Sequence, residues 1–462
     1  MFFARKSCFR IILFSISLLA ILPATAVAQT PSAPTVLLIS VDGLKPEAVL
    51  QAQAHGLKVP NLAQLSRDGV YSTGVHGVLP TVTYPSHTTL LTGASPARHG
   101  IVANTTFDPL NKNAQGWYWY AEDIKVPTLW DVAHKSGLTT ASVYWPVSVG
   151  AAVDFNLPQI WRTGTPDDLK LQKALSTPGL EQELSSALGR YPGGMEETVN
   201  ADEVRANFAI RILETKHPAL MTVYLTGLDT EQHKSGPFSA SSNAVLERLD
   251  AVVGKLRAAA EKVSPGRSYV CVVSDHGFAP VQHDVNLYAA FREAGLFSMD
   301  ASRNITSWKA MPWPAGGAAG IMLADAKDSQ TNQKVAEMLQ RLGADPANGI
   351  DRVLTHDELQ QRGGFPDAAF FVSFKIGYEL GYGFDGALIA APANGGMHGY
   401  LPENQEMRSS FFLVGPNIPQ GHSLGEIDMR SIAPTLADLL HLQLPAAELP
   451  SLDVRAASAK LQ

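Results

Sequence analysis

Residues 36–43 read VLLISVDG. The run is too short for a helix and rich in branched aliphatic residues, which suits a strand buried on both faces. It ends in Asp42 and Gly43, so a carboxylate stands where the strand would leave its sheet. Similar runs occur at residues 140–144, 220–225, 269–273 and 410–414. They alternate with helical patterns at 61–68, 128–135, 201–214, 242–262 and 428–440. This alternation predicts an α/β fold around a mostly parallel central sheet. The stretch from about 300 to 394 breaks the pattern. It holds a Gly-rich piece (PAGGAAG, Pro314 to Gly320), one helical pattern at 332–342 and aromatic runs such as 369–374. It is expected to form an inserted small α+β subdomain.

The chain has 462 residues, 45% of them hydrophobic, enough to bury a large core. Residues 1–28 read as a signal peptide. Arg5, Lys6 and Arg10 precede the apolar run Ile11 to Leu22, and Ala26-Val27-Ala28 offers small residues for cleavage. Pro23 interrupts the run, which is short for a bilayer, so no stable membrane anchor is expected after cleavage. Losing this leader removes three basic residues and no acidic one, taking the formal charge from −7 to −10. Such a balance disfavours nucleic-acid binding. Cys8 falls in the leader and Cys271 is left alone, so no intramolecular disulfide can form. A periplasmic or secreted protein is expected. No cysteine follows the apolar run, which argues against a lipoprotein.

Ligands of open α/β sheets bind beyond the carboxyl ends of the strands. Three acids and three histidines fall at such places or in glycine turns: Asp42, Asp229, His233, Asp275, His276 and His398. Each has a plainer explanation. A strand-end Asp can cap a helix, and Asp229 and His233 could be a surface pair four residues apart. Together they favour a metal site, and imidazole mixed with carboxylate suits zinc better than magnesium or calcium. With one hydroxyl added, the donors are too many for one tetrahedral ion and suit two.

That hydroxyl is sought in LPTVTYPSHTTLLTG, residues 79–93. Pro85 fits the first position of a helix. Thr83 would then lie at its positive end, where free amides and the dipole favour an alkoxide and a phosphate oxygen. A simple helix cap is the alternative.

The order of VDGLKPE, PTVTYPSHTTLLTGASPARHGIVAN, PTLWDVAHKSGLTTASVYWP, DTEQHKSGP, SDHGF and MHGYLPENQEMRSSFFLVGP closely resembles the nucleotide pyrophosphatase/phosphodiesterase family of the alkaline phosphatase superfamily. The resemblance implies an alkaline-phosphatase-like α/β/α sandwich over residues 29–462. It implies a secreted enzyme with two zinc ions that hydrolyses phosphate diesters or phosphoanhydrides of small molecules through a phosphothreonine at Thr83. Asp42, Thr83, Asp275 and His276 would hold one zinc, and Asp229, His233 and His398 the other. Asn104 would bind a phosphate oxygen, and Tyr84 and Tyr224 would grip a nucleobase or simply pack. Leu228, Gln232 and Val147 depart from the family pattern beside the expected pocket.

Three rivals are weighed against this reading. A sulfatase needs a convertible Cys or Ser where Thr83 stands. A phosphate monoesterase or phosphonoacetate-type hydrolase would use the same metals but calls for added positive charge near the phosphate. A non-catalytic binding protein has no need of an intact nucleophile and six ligands.

Overall fold

The run that decides the fold is the strand Thr35–Val41, and all seven of its residues are buried. A computed structural model of the chain describes residues 1–2, 34–113 and 116–455. The chain divides into Met1–Ser32 and Ala33–Gln462. The expected signal peptide lies outside the described residues except for Met1 and Phe2. Among the described residues, no helix is long and apolar enough to cross a membrane.

The central sheet has eight strands: β1 (Thr35–Val41), β2 (Val70–Tyr71), β3 (Thr140–Val143), β4 (Phe155–Leu157), β5 (Leu220–Leu225), β6 (Ser268–Val273), β7 (Phe411–Val414) and β8 (His422–Ser423). Their order is β8-β2-β7-β6-β1-β5-β3-β4. The pairs around β1 are parallel, with Ser40 level with Tyr224 on one side and Val273 on the other. β7 runs antiparallel to both its neighbours. The fold is therefore an alkaline-phosphatase-like α/β fold with a mostly parallel sheet.

Three helices matter most for the site: α1 (Thr83–Thr92), α2 (Val199–Lys216) and α3 (Gly227–Ser235). α2 packs with the long helix Ala240–Val263, which also contacts β1 and β6, while α1 packs with Leu129–Lys135 and Ile432–Leu439. Val36, Leu37, Leu38 and Ile39 on β1 are completely buried in the main core.

Residues 310–374 form a four-stranded antiparallel sheet in the order Ala310–Pro314, Ala318–Leu323, Phe370–Phe374, Ile350–Thr355. The helix Ser329–Ala344 lies between the second and fourth of these strands in the chain. This sheet has its own apolar cluster, which includes Met311, Ile321, Val335, Val372 and Phe374.

Candidate active site and metal centre

The loops after β1, β5 and β6 converge with α1 and the turn at His398. Gly43 follows β1 at φ +68°, and a Cβ there would come within 2.7 Å of Gln232 Nε2, so only glycine fits this turn. The Gly43 amide donates to Asp275 Oδ1 (3.2 Å), and Gln232 Nε2 donates to the Gly43 carbonyl (3.0 Å). Three chain segments are thus tied within one turn.

α1 begins at Thr83, two residues before the Pro85 start expected from sequence, with Val82 extended before it. All ten of its residues are buried. Its threonines cost little there, because Thr88 and Thr92 donate to the carbonyls four residues earlier. Thr83 is therefore the first residue of the helix rather than a residue ahead of it. Its Oγ lies 3.5 Å from His276 Nε2. The early start places Thr83 among the first amides of the helix, which have no partner within it.

Two clusters of donors meet at this point. Asp42 Oδ1 and Asp275 Oδ2 lie 3.4 and 3.1 Å from His276 Nε2. On the second side, Asp229 lies 3.5 Å from His233 Nε2 and 3.7 Å from His398 Nε2. Asp229, His233 and His398 can reach one ion together, and so can Asp42, Asp229 and His276. Asp229 thus stands between the two groups. Asp229 and His233 share one face of α3, as their spacing suggests.

The donor chemistry fits a cation. Each ring nitrogen Nδ1 faces a backbone carbonyl: His276 that of Gly277, His233 that of Gly396 and His398 that of Thr81, all at 3.1 Å. An Nδ1–H donor leaves an Nε2 lone pair turned inward. Asp42 Oδ1, Asp229 Oδ1 and Asp275 Oδ2 are buried and have no hydrogen-bond partner. Burial and the facing Asp229 and Asp275 charges raise the Asp42 carboxyl well above its ordinary range. Burial also raises Asp229. Burial opposes the Asp275 carboxylate too, yet His276 and His87 outweigh it and hold it low. Burial, with His276 and His233 nearby, keeps His398 neutral. Carboxylates crowded together with inward lone pairs call for positive charge between them.

Asn104 Oδ1 accepts from the Tyr84 amide (2.9 Å), leaving the NH₂ half of its side chain to offer to the cavity it lines. Tyr84 and Tyr224 border the same cavity, of about 400 Å³, but are only 1% and 2% exposed. The Tyr84 hydroxyl donates to Gln159 Oε1 (2.9 Å), and its ring packs on Trp117 and Trp119. Tyr224 donates to Asp42 Oδ2 and lies parallel to Tyr144 at 6.0 Å. Packing and, for Tyr224, the bond to Asp42 hold both rings at the edge of the cavity they line.

Other residues lining the cavity escaped the sequence reading: Trp117, Gln159, Trp161, Glu197 and Lys234. Glu197 accepts from Gln159 Nε2 (3.1 Å) and the Tyr144 hydroxyl (3.3 Å). Burial, then Asp229, pushes its carboxyl up to about 7, against the pull of Arg205. His87 was missed as well, though it stands four residues after Thr83. It bridges the Thr83 carbonyl (2.8 Å) and Ser40 Oγ (2.9 Å).

Behind the cavity, Asp202 and Arg205 form a fully buried ion pair on α2. Asp202 accepts from the backbone amides of Thr226 (3.2 Å) and Gly227 (2.7 Å), where α3 begins. Gly227 has no room for a Cβ, which would lie 2.5 Å from the Val199 nitrogen. Arg205 also covers the Tyr144 ring at 3.4 Å. One buried pair thus supports α3 directly and touches Asp42 through Tyr144 and Tyr224.

Of the departures, Val147 holds φ +53°, a region that strains β-branched residues, and packs with Tyr84, Trp119 and Trp161. Leu228 and Gln232 are buried.

A family model described as type I phosphodiesterase / nucleotide pyrophosphatase matches residues 36–401. Rat ectonucleotide pyrophosphatase/phosphodiesterase family member 3 is 24% identical over 89% of this chain and 42% of its own length. The chain therefore spans less than half of that relative. Rat family member 7 is 23% identical over 89% of this chain and 84% of its own. Among solved structures, an inactive murine ectonucleotide pyrophosphatase / phosphodiesterase 5 in complex with AMP superposes with a TM-score of 0.64. It has 20% identity and covers 91% of this chain and 97% of that one.

Proposed function

The chain belongs to the type I phosphodiesterase / nucleotide pyrophosphatase family, and on that premise we propose that it hydrolyses phosphate diesters or phosphoanhydrides of small molecules, with Thr83 as nucleophile. The observation that carries this reading is the convergence of Asp42, Asp275 and the Thr83 hydroxyl on His276 Nε2, within 3.1–3.5 Å. Three orphaned carboxylate oxygens beside them make two zinc ions the fitting cofactors. Asp42, Thr83, Asp275 and His276 would hold one, and Asp229, His233 and His398 the other. Zinc there would supply the positive charge a phosphate needs and lower the pKa of a hydroxyl beside it.

The protein groups then divide the work. Thr83 Oγ forms a bond to phosphorus as the bond to the leaving oxygen breaks, giving a phosphothreonine and a free alcohol or phosphate. The Thr83 amide at the positive end of α1 and the Asn104 NH₂ bind the non-bridging oxygens. His87 holds the Thr83 carbonyl and so fixes the start of the helix. Water then cleaves the phosphothreonine and restores the hydroxyl.

The leader-like pattern of residues 1–28 supports a secreted or periplasmic enzyme. A phosphate monoesterase or phosphonate hydrolase keeps one point in its favour. Lys234 lines the cavity and offers a cation that a dianion would use.

A kinetic comparison of a diester, a nucleotide pyrophosphate, a monoester and a phosphonate decides between the two. Preference for the diester or pyrophosphate is expected, and preference for the monoester overturns the reading. A chiral phosphorothioate diester should react with net retention, the outcome of two in-line steps. Inversion would mean direct attack by water.

A further inference from the structure

Beside the catalytic cavity lies a second pocket of about 320 Å³, between the segment after Asn104 and the strand Ala310–Pro314. Trp117 lines both. Asn104 lines the first and Thr105 the second, so adjacent residues of one segment face the two spaces. Thr105 pairs with Trp117 in an antiparallel bridge, and the Tyr118 amide donates to the Asn104 carbonyl (3.1 Å). One short ladder therefore forms the common wall.

The second pocket is chemically unlike the first. Among the described residues, Asp108 is the only acidic or basic one that lines the second pocket. Two of its polar aromatic tips are already engaged: Trp313 Nε1 donates to the Thr105 carbonyl (3.1 Å) and the Tyr288 hydroxyl to that of Pro312 (3.2 Å). Most of the rest of the wall is apolar, from the rings of Phe107 and its aromatic neighbours, Ile305, Met311 and three prolines, with Thr105, Thr106, Asp108 and Asn111 as its polar residues. Tyr382, stacked on Tyr288, is 67% exposed, unusual for so large a ring.

We propose that this pocket receives a neutral apolar group of the substrate, the alkyl, acyl or aryl part of an alcohol esterified to the phosphate that Thr83 attacks. The proposal rests on the diesterase reading above. The pocket shares the Trp117 wall with the catalytic cavity, which favours an occupant that is part of the same molecule, and among the described lining residues none is basic, which disfavours a second phosphate. The strands after residue 300 thereby contribute to substrate choice.

Calorimetric binding of n-alkyl phosphates, methyl to octyl, below their micelle-forming concentrations tests this on the zinc-loaded protein. Kd should fall about two- to fourfold per added methylene until the pocket fills. Tyr382→Ala and Phe107→Ala should flatten that dependence and leave methyl phosphate unchanged. Should Phe107→Ala fail to fold, the wild-type series and the exposed Tyr382→Ala decide. No dependence on chain length, or a dependence that survives both variants, overturns the proposal. Turnover of methyl p-nitrophenyl phosphate separates the two readings. Hydrolysis with a flat series sinks the pocket alone, whereas a steep series without hydrolysis sinks the diesterase reading and keeps the pocket.

Discussion

The Asp42, Asp275 and His276 side chains are 3%, 0% and 0% exposed, whereas Asp229, His233 and His398 keep 16%, 26% and 7%. The inner group hangs on the ends of β1 and β6 at the centre of the sheet. The outer group hangs on a nine-residue helix and a glycine turn, fixed by Asp202 and by the Gly396 and Thr81 carbonyls. Similar donors thus sit on supports of different stiffness. If the proposed two ions bind as assigned, the inner half should hold its ion tightly and keep its shape, and the outer half should exchange its ion faster and adjust to the substrate.

The largest effect is expected at the hydroxyl of the inner half. Thr83→Ala should lower kcat by roughly a thousandfold or more, and Thr83→Ser should recover part of it. Metal content by mass spectrometry should stay near the wild-type value, since Asp42, Asp275 and His276 remain. Loss of metal from this variant would break the picture of a rigid inner half. Next comes His398→Ala, which should weaken the outer ion by at least about tenfold and leave the inner one bound. Loss of both ions from a folded variant would show that the two halves act as one.

Asp202→Asn sharpens the comparison further, because Asp202 touches no ligand. It should weaken the outer ion by about tenfold and lower stability by about 1–3 kcal/mol, with the inner ion unmoved. A variant that melts earlier but binds both ions normally would reduce Asp202 to a purely structural role. The smallest effect concerns Glu197. Its folded value, about 7, lies above its ordinary 4.5, so the folded state binds the proton more tightly. The contribution of Glu197 to stability should therefore be full below pH 4.5 and be lost as the pH rises to 7, by about 1–3 kcal/mol. Glu197→Gln should flatten that slope in thermal melts of the zinc-free protein, and an unchanged slope would assign it to another group.

The inner half was legible because strand ends announce themselves: an unbroken apolar run followed by Asp42, and another followed by Asp275 and His276. The four-residue step from Asp229 to His233 likewise reads as one helix face. The supports were not legible. Asp202 and Arg205 look like ordinary helix residues until Asp202 is seen at the first amides of α3, remote in sequence. β2, β4 and β8 have two or three residues each, too few to leave a period. The start of α1 was placed late because Pro85 suggests a first position. Val82 is extended, and the helix takes two more residues before the proline. Tyr84 and Tyr224 were legible as neighbours of the site, but their bonds to Gln159 and Asp42 were not, because those partners are remote in sequence.

The carbonyls that aim the three histidines belong to Thr81, Gly277 and Gly396, and the proposed ligands run from Asp42 to His398. A chain made from its N-terminus therefore completes this constellation only after His398 has been made. Pairings so distant in sequence form late and slowly. An ion cannot nucleate the fold, because no early segment gathers enough donors. On the proposed zinc reading, metal loading should follow folding, and a refolding protein should regain its sheet before it binds metal.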